Sequence, residues 1–387
     1  MRFACPLCGS DRTKRHDFRM FREIDLRGVH SRAYQRWFCS ACRKAFIPGL
    51  SAKRTTSPYS PAIREKATIL YVDTGGSYRA VTRELRRLGL SHVQSYQVWT
   101  WVQELGQKCA DPFEISRSLK PKWSGYLEAD GDRIRVGDEE LSILLAIDVK
   151  TRDVPFAMLG KEDLYHWTQF FERLKALNYP FKAMTSDGDT AIIMGAKASF
   201  PGLVHQRCHA HFIRNVEELL PEPQYATFPH LPTEYQRFQK ALHKFLEAPD
   251  WRIAKEYLRL LIFYPSFQRP LFQPARKFVI QSLPQIIPAF FHKGMPRTSN
   301  LIENVIRFLD RRITPMDRFH SRESAWAMIK LLVLYYRFHK FTNPSKKYYY
   351  IKNRSPLQLS GVNTIGLRWL SVGLNPFKNN KNSNQSR

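Results

Sequence analysis

Two kinds of side chain in this sequence could hold metal. Cys5-Pro-Leu-Cys8 and Cys39-Ser-Ala-Cys42 pair thiols at the spacing that tetrahedral zinc takes, on either side of a basic, aromatic-bearing segment from Gly9 to Phe38. So small a segment has little core of its own, and one structural Zn²⁺ held by Cys5, Cys8, Cys39 and Cys42 would staple it. A redox pair or plain reduced thiols are the alternatives. The second kind is acidic: Asp130, Asp187 and Glu303 stand on a chain of formal net charge +27. Carboxylates that converge from distant parts of a chain can hold two divalent cations and act on a phosphodiester. Such oxygen ligands suit Mg²⁺ or Mn²⁺.

The elements that must position these acids can be read from the pattern. Asp130 falls in a strand-like run from Gly125 to Val136, where Glu128, Asp130 and Asp132 alternate onto one face. That face reads either as a solvated edge or as a ligand face; Asp132 rivals Asp130 as the first ligand, with Glu128 an outsider. Asp187 ends the run Phe181 to Ser186 and precedes Gly188, so it can project from the carboxyl edge of a sheet, and Asp189 suits the N-cap of the next helix. Glu303 lies on a helical pattern near Ser299 to Arg312, opposite an apolar stripe of Leu301, Ile302, Val305, Ile306, Phe308 and Leu309. A lone glutamate on such a helix is commonplace. Three acids gathered about one sheet say more.

Between these points the pattern runs strand (Gly125 to Val136), strand (Leu141 to Val149), strand (Val154 to Leu159), helix (Leu164 to Leu177), strand, helix (Thr190 to Ser199), strand (Leu203 to Arg207), helix (His209 to Leu219). A three-strand meander followed by crossovers is the RNase H-like order. The expected fold class is α/β (α+β overall), an RNase H-like mixed sheet with an all-helical insertion, preceded by a zinc ribbon and a helix-turn-helix. The expected boundaries are 1–50 for the ribbon, 57–108 for the helix-turn-helix, 122–220 for the first part of the core, 221–297 for the insertion, 298–342 for the final core helices and 343–387 for a basic, partly disordered tail. Ser51 to Ser60 reads as a linker and Asp111 to Trp123 as a second connector, and Asn375 to Arg387 offers almost nothing to bury.

Lys and Arg outnumber Asp and Glu by 61 to 34 and are spread along the chain. A polyanionic partner, nucleic acid ahead of membrane, is the natural reading. No run of about 18 apolar residues occurs, and the N-terminus lacks an apolar signal region, so a soluble, intracellular protein is expected. Apolar content of 43% supports a real core, and six cysteines, four of them in the close pairs, argue against a disulfide framework. Three helical patterns, Ala62 to Val72, Ser77 to Leu88 and Val93 to Leu105, suggest a helix-turn-helix whose last helix would enter the major groove. His92, Gln94, Ser95 and Gln97 would then face base edges, with Trp99 and Trp101 as core or buttress. Arg32, Arg36, Arg43, Lys44, Lys53 and Arg54 would contact phosphates, which position a protein without specifying sequence. A plain helical hairpin and a solvated basic face are the alternatives.

The residues also match something familiar: Ser186-Asp-Gly188, then Phe200-Pro201, then His205-Gln-Arg-Cys-His-Ala-His-Phe-Ile-Arg-Asn215, and later Asn300-Leu-Ile-Glu303. Over about residues 125 to 340 the chain resembles Mutator-like DDE transposases of bacterial insertion sequences. The resemblance implies metal-dependent DNA strand cleavage and strand transfer, with Asp130, Asp187 and Glu303 as the catalytic metal ligands and Cys208 with His211 as the family's Cys-x-x-His pair. It also implies two Mg²⁺ or Mn²⁺ ions, double-stranded DNA (terminal inverted repeats and target) as partner, a homodimer or higher oligomer on DNA, and a cytoplasmic, nucleoid-associated bacterial protein. A water or a DNA 3′ hydroxyl would attack in line, without a covalent enzyme intermediate. A catalytically inactive DNA-binding regulator descended from a transposase, and an RNase H-like nuclease or resolvase, are the competing readings.

Overall fold

The computed structural model describes residues 3–25, 27–48, 58–220 and 231–376. Lys53 and Arg54, most of the expected linker, residues 377–387 of the expected tail and the Arg32 side chain lie outside the described residues. The chain divides into two compact units, Met1–Leu105 and Gly106–Arg387.

In the first unit, β1 (Thr13–Asp25) and β2 (Gly28–Cys39) form a long antiparallel hairpin, and β3 (Ala45–Phe46) pairs with the end of β2. The reading above gave this stretch as a basic, aromatic-bearing segment between cysteine pairs and assigned it no strand. Phe18, Phe21, Tyr34, Trp37 and Phe38 suit a pleated surface, but the many charges among them hide any alternation. Trp37 and Phe46 are buried with Cys5 and Cys39 in a small core. Three helices follow: α1 (Pro61–Thr74), α2 (Tyr78–Arg87) and α3 (Ser95–Lys108). Proline opens α1 and Gly75, at φ 77°, closes it in the left-handed conformation that glycine adopts freely. The Ser77 side chain accepts from the Ala80 N–H and caps α2. Ile63, Ala67, Tyr71, Val81, Leu85, Val98, Trp101 and Val102 are buried.

The second unit begins with α4 (Pro112–Leu119), where the sequence reading placed a connector. Asp111 caps this helix and Pro112 starts it; proline marks a helix start here instead of a loop. A five-stranded mixed sheet follows, built from β4 (Tyr126–Val136), β5 (Glu139–Asp148), β6 (Ala157–Gly160), β7 (Ala183–Ser186) and β8 (Val204–Arg207) in the order β6-β5-β4-β7-β8. β4, β5 and β6 are antiparallel neighbours, whereas β4–β7 and β7–β8 are parallel. α5 (Leu164–Ala176) and α6 (Thr190–Ser199) cover one face, where Leu127, Ala129 and Met184 pack on Trp167, Phe170, Phe171 and Ile192. Strand alternation sends Glu128 and Asp130 to the opposite face.

α7 (His209–Glu218) leads to a helical region of α8 (Leu231–Glu247), α9 (Trp251–Phe263), α10 (Gln273–Ile286) and the short α11 (Pro288–Phe291), which share a core that includes Phe212, Phe238, Phe245 and Phe272. α12 (Asn300–Ile313) then lies against β4 and β5, and α13 (Arg322–Phe338) packs beside it. From the expected tail, Leu357, Leu370 and Val372 are buried, in short helical segments that pack on α13. One buried contact locks α13 to the loop after β5: the Arg337 guanidinium donates to both Asp153 oxygens at 2.8 and 2.9 Å, with both side chains 0% exposed. No described helix is long and apolar enough to cross a membrane.

Candidate functional site

The four paired cysteines meet. Their sulfur atoms all lie within 4.8 Å of one another, with Cys5–Cys42 and Cys8–Cys39 each at 3.7 Å, and none is in a disulfide. The Cys42 amide points at the Cys39 sulfur and, with the Ala41 amide, draws that thiol down to about 7 against the opposing effect of burial. Four soft donors at this spacing fit tetrahedral Zn²⁺, so the quartet could hold one zinc ion. Among the described residues it is the one group of three or more metal-binding side chains drawn so close.

The acids of the second unit are arranged differently. Parallel pairing sets Leu127 beside Met184 and Glu128 beside Thr185, and the same register carried two residues further sets Asp187 beside Asp130 at the carboxyl edge. Burial and then the Asp187 charge push Asp130 up to about 7, against the lowering effect of the Gly131 N–H that donates to its Oδ1 at 2.9 Å. Asp132 is also raised to about 7, by burial and then by Asp310 of α12, with which it shares a hydrogen bond. Asp132 is therefore engaged with α12, while Asp130 faces Asp187. Glu162 adds negative potential at both and accepts from Ser142 Oγ at 2.6 Å.

Asp187 follows β7 directly and its Oδ1 accepts from the Asp189 N–H at 2.8 Å; Asp189 in turn caps α6. Gly188 has φ +99°, a conformation that favours glycine, and a Cβ there would sit 2.7 Å from Arg207 Nε and push that side chain aside. Glu303 stands in the first turn of α12, one-third exposed, with Arg307 Nη2 at 3.8 Å. The carboxylates of Asp130, Asp187 and Glu303 are not drawn to the spacing of the thiols. Mutual repulsion explains this in part, and protons held on Asp130 stand where a cation's charge would serve. The oxygen-only donor set and its raised proton affinity fit a hard divalent cation.

Cys208 is buried at the start of α7. Burial opposes its ionisation, but a hydrogen bond to His211 and the Ser299 N–H donated to Sγ at 3.3 Å outweigh it and bring the thiol to about 7. His211 is raised in turn, first by Cys208, and it lies close enough to Asp130 and Asp187 to exchange charge effects with both. Arg207 donates to Asn215 Oδ1 at 3.0 Å. Residues that the sequence reading passed over are Glu162 and Asp310; Glu128, weighed there only as an outsider for the first ligand, is tied to α12 instead. Glu128 is 0% exposed, and its Oε2 accepts the N–H groups of Leu301 and Ile302, each at 2.9 Å. Its place on a strand face shared with Asp130 and Asp132 was the available signal.

Among the expected DNA readers, His92 and Gln94 are exposed before α3, and Ser95 and Gln97 are half-buried in its first turn. Gln97 Oε1 accepts from the Gln94 N–H, and Arg86 donates to Gln94 Oε1. Trp101 is buried against Tyr59, as a buttress should be, but Trp99 is 40% exposed because the buried stripe of Val98, Trp101 and Val102 leaves it outside. Tyr96, 66% exposed on the same turn, was not singled out. Arg43 and Lys44 are exposed, and Arg36 pairs with Asp17 at 3.0 Å.

Residues 46–338 match the family model described as transposase, Mutator family. Two curated relatives, each described as the transposase for insertion sequence element IS256 in transposon Tn4001, come from Staphylococcus aureus and Enterococcus faecalis. Each is 24% identical over 237 residues, covering 57% of this chain and 56% of the relative, so the chain spans little more than half the length of the relatives it matches.

Proposed function

The chain belongs to the Mutator family of transposases, and from that premise we propose that it binds the ends of its own mobile element and catalyses metal-dependent cleavage and strand transfer of DNA. The sheet is read as an RNase H-like core interrupted by the α8–α11 region, with the residue 1–50 and 57–108 segments as zinc ribbon and helix-turn-helix. The observation that carries this reading is the pairing of Asp130 with Asp187: adjacent parallel strands present both acids on one face, near enough for one to raise the proton affinity of the other.

Asp130, Asp187 and Glu303 would hold two Mg²⁺ or Mn²⁺ ions. When bound, such ions activate an attacking oxygen and stabilise a departing one in an in-line displacement. The chain's own share is to hold the carboxylates on a sheet edge and a helix, to surrender the proton of Asp130, and to keep His211 beside the acids. His92, Gln94, Ser95 and Gln97 would read base edges, with Arg32, Arg36, Arg43, Lys44, Lys53 and Arg54 on phosphates and a second copy of the chain on the other DNA end.

Labelled DNA carrying the element's terminal inverted repeats tests the proposal. Cleavage at the repeat ends followed by joining to a target is expected with Mg²⁺ or Mn²⁺. Cutting without joining would mark a nuclease or resolvase instead, and binding without cutting would mark a regulator.

A further inference from the structure

The stretch that leads into α12 is tied down from several sides. Thr185 Oγ donates to the Pro296 carbonyl at 2.8 Å, the His209 N–H donates to the Arg297 carbonyl at 2.8 Å, and the Ser299 N–H donates to Cys208 Sγ at 3.3 Å. The Leu301 and Ile302 N–H groups then converge on Glu128 Oε2. These are first-turn amides, which have no acceptor within their own helix. A buried acceptor oxygen and buried first-turn amides are each costly alone, and here they answer one another.

Position gives this bond its meaning. Glu128 and Thr185 are partners across β4 and β7, one side-chain step before Asp130 and Asp187 on the same face. The helix they hold is the one that carries Glu303. We infer that Glu128 is a positioning residue that sets where Glu303 stands against Asp130 and Asp187. The inference rests on the proposed role of those three acids in holding divalent cations. Packing against α12 would need only an apolar side chain at this point; the acceptor oxygen fixes the height and rotation of the first turn, and with them the third carboxylate.

The test uses the full-length, zinc-loaded protein with Glu128→Ala, Glu128→Leu and Glu128→Gln, and with Glu303→Gln as benchmark. Leucine fills the volume without accepting, so it answers for any failure of the alanine variant to fold. Glutamine keeps an acceptor oxygen. Mn²⁺ binding is read from the loss of the free-ion paramagnetic resonance signal, alongside cleavage of element-end DNA and thermal midpoints. Glu128→Ala and Glu128→Leu should weaken Mn²⁺ binding by about tenfold or more and slow cleavage by about 10- to 100-fold, as loss of a partner that orients a ligand does. Glu128→Gln should stay within about threefold of the parent on the same scale. Parental Mn²⁺ binding in Glu128→Leu, with only a lower thermal midpoint, would reduce Glu128 to a helix cap and overturn the inference, as would a glutamine variant no better than leucine. In either case a weakened Glu303→Gln benchmark leaves the metal reading standing. A benchmark that binds Mn²⁺ like the parent removes that reading and this inference with it.

Discussion

The cysteine quartet and the acidic cluster both suit cations, yet one is assembled from a single hairpin and its flanks and the other from three segments, 57 and 116 residues apart in sequence. Thiols at positions 5, 8, 39 and 42 come together with their sulfurs within 4.8 Å. Asp130, Asp187 and Glu303 arrive on two strands and a helix, with the α8–α11 region between the last two, and they keep further apart. A soft-ligand site can be closed by local folding, whereas a hard-ligand site of the kind proposed would be completed only by its cations and its DNA. The first should therefore respond to metal as structure, and the second as activity.

The contrast is sharpest if an acid is neutralised. Asp187→Asn or Glu303→Gln should lower strand cleavage and transfer by on the order of 10³-fold or more, since metal ions supply several kcal/mol of transition-state stabilisation and roughly 1.4 kcal/mol is a decade in rate. DNA affinity, measured by gel shift, should be nearly unchanged; strand transfer retained in either variant would remove the distinction.

Zinc removal should act the other way. Cys39→Ser, or a chelator, should release about one zinc per chain and loosen the N-terminal unit, as metal binding in such small modules is folding energy. Colorimetric zinc release with far-ultraviolet circular dichroism would check it, and purified protein without zinc would break the comparison from this side.

A subtler difference lies in pH. Asp130 holds its proton up to about 7 in the folded chain but only to the ordinary aspartate range once unfolded. Between those values the folded state binds the extra proton, so this group's contribution to stability falls as pH rises from about 4 to about 7 and is level above. In zinc-loaded protein without Mg²⁺ or Mn²⁺, Asp130→Asn should gain on the parent across that window, by on the order of a few degrees in melting temperature. Mg²⁺ should restore the parent. The smallest effect is expected at Lys44: its replacement by Ala should weaken binding to all DNA sequences alike and reduce the salt slope by about 1, as loss of one phosphate contact does.

Much of the sheet was legible because period-two runs and helix caps mark it. The helix Thr190–Ser199 was read at its observed bounds, since Asp189 announces its start and Phe200-Pro201 its end. The hairpin of β1 and β2 was hidden, because charged residues occupy both of its faces and a pattern reader sees no alternation. α4 was hidden by the flanking prolines Pro112 and Pro121, the first of which begins it. The acids could be named from spacing and resemblance, but their relations could not. Whether Asp132 faces Asp187 or Asp310 depends on where α12 crosses β4, and Glu128 becomes meaningful only when two amides 173 and 174 positions away arrive at its carboxylate.

The buried pair of Asp153 and Arg337 has a consequence for synthesis. Either charge without the other is stranded in the interior at a cost of about 3–5 kcal/mol, so the α/β unit cannot settle until residue 337 has left the ribosome. The N-terminal unit is complete at residue 105. At roughly 5–20 residues per second the intervening chain takes on the order of ten to fifty seconds to make. Through that interval a growing polypeptide already carries its finished cysteine quartet and helices while its acidic cluster does not yet exist; under the proposed function it would meet DNA close to the message that encodes it before it could cut.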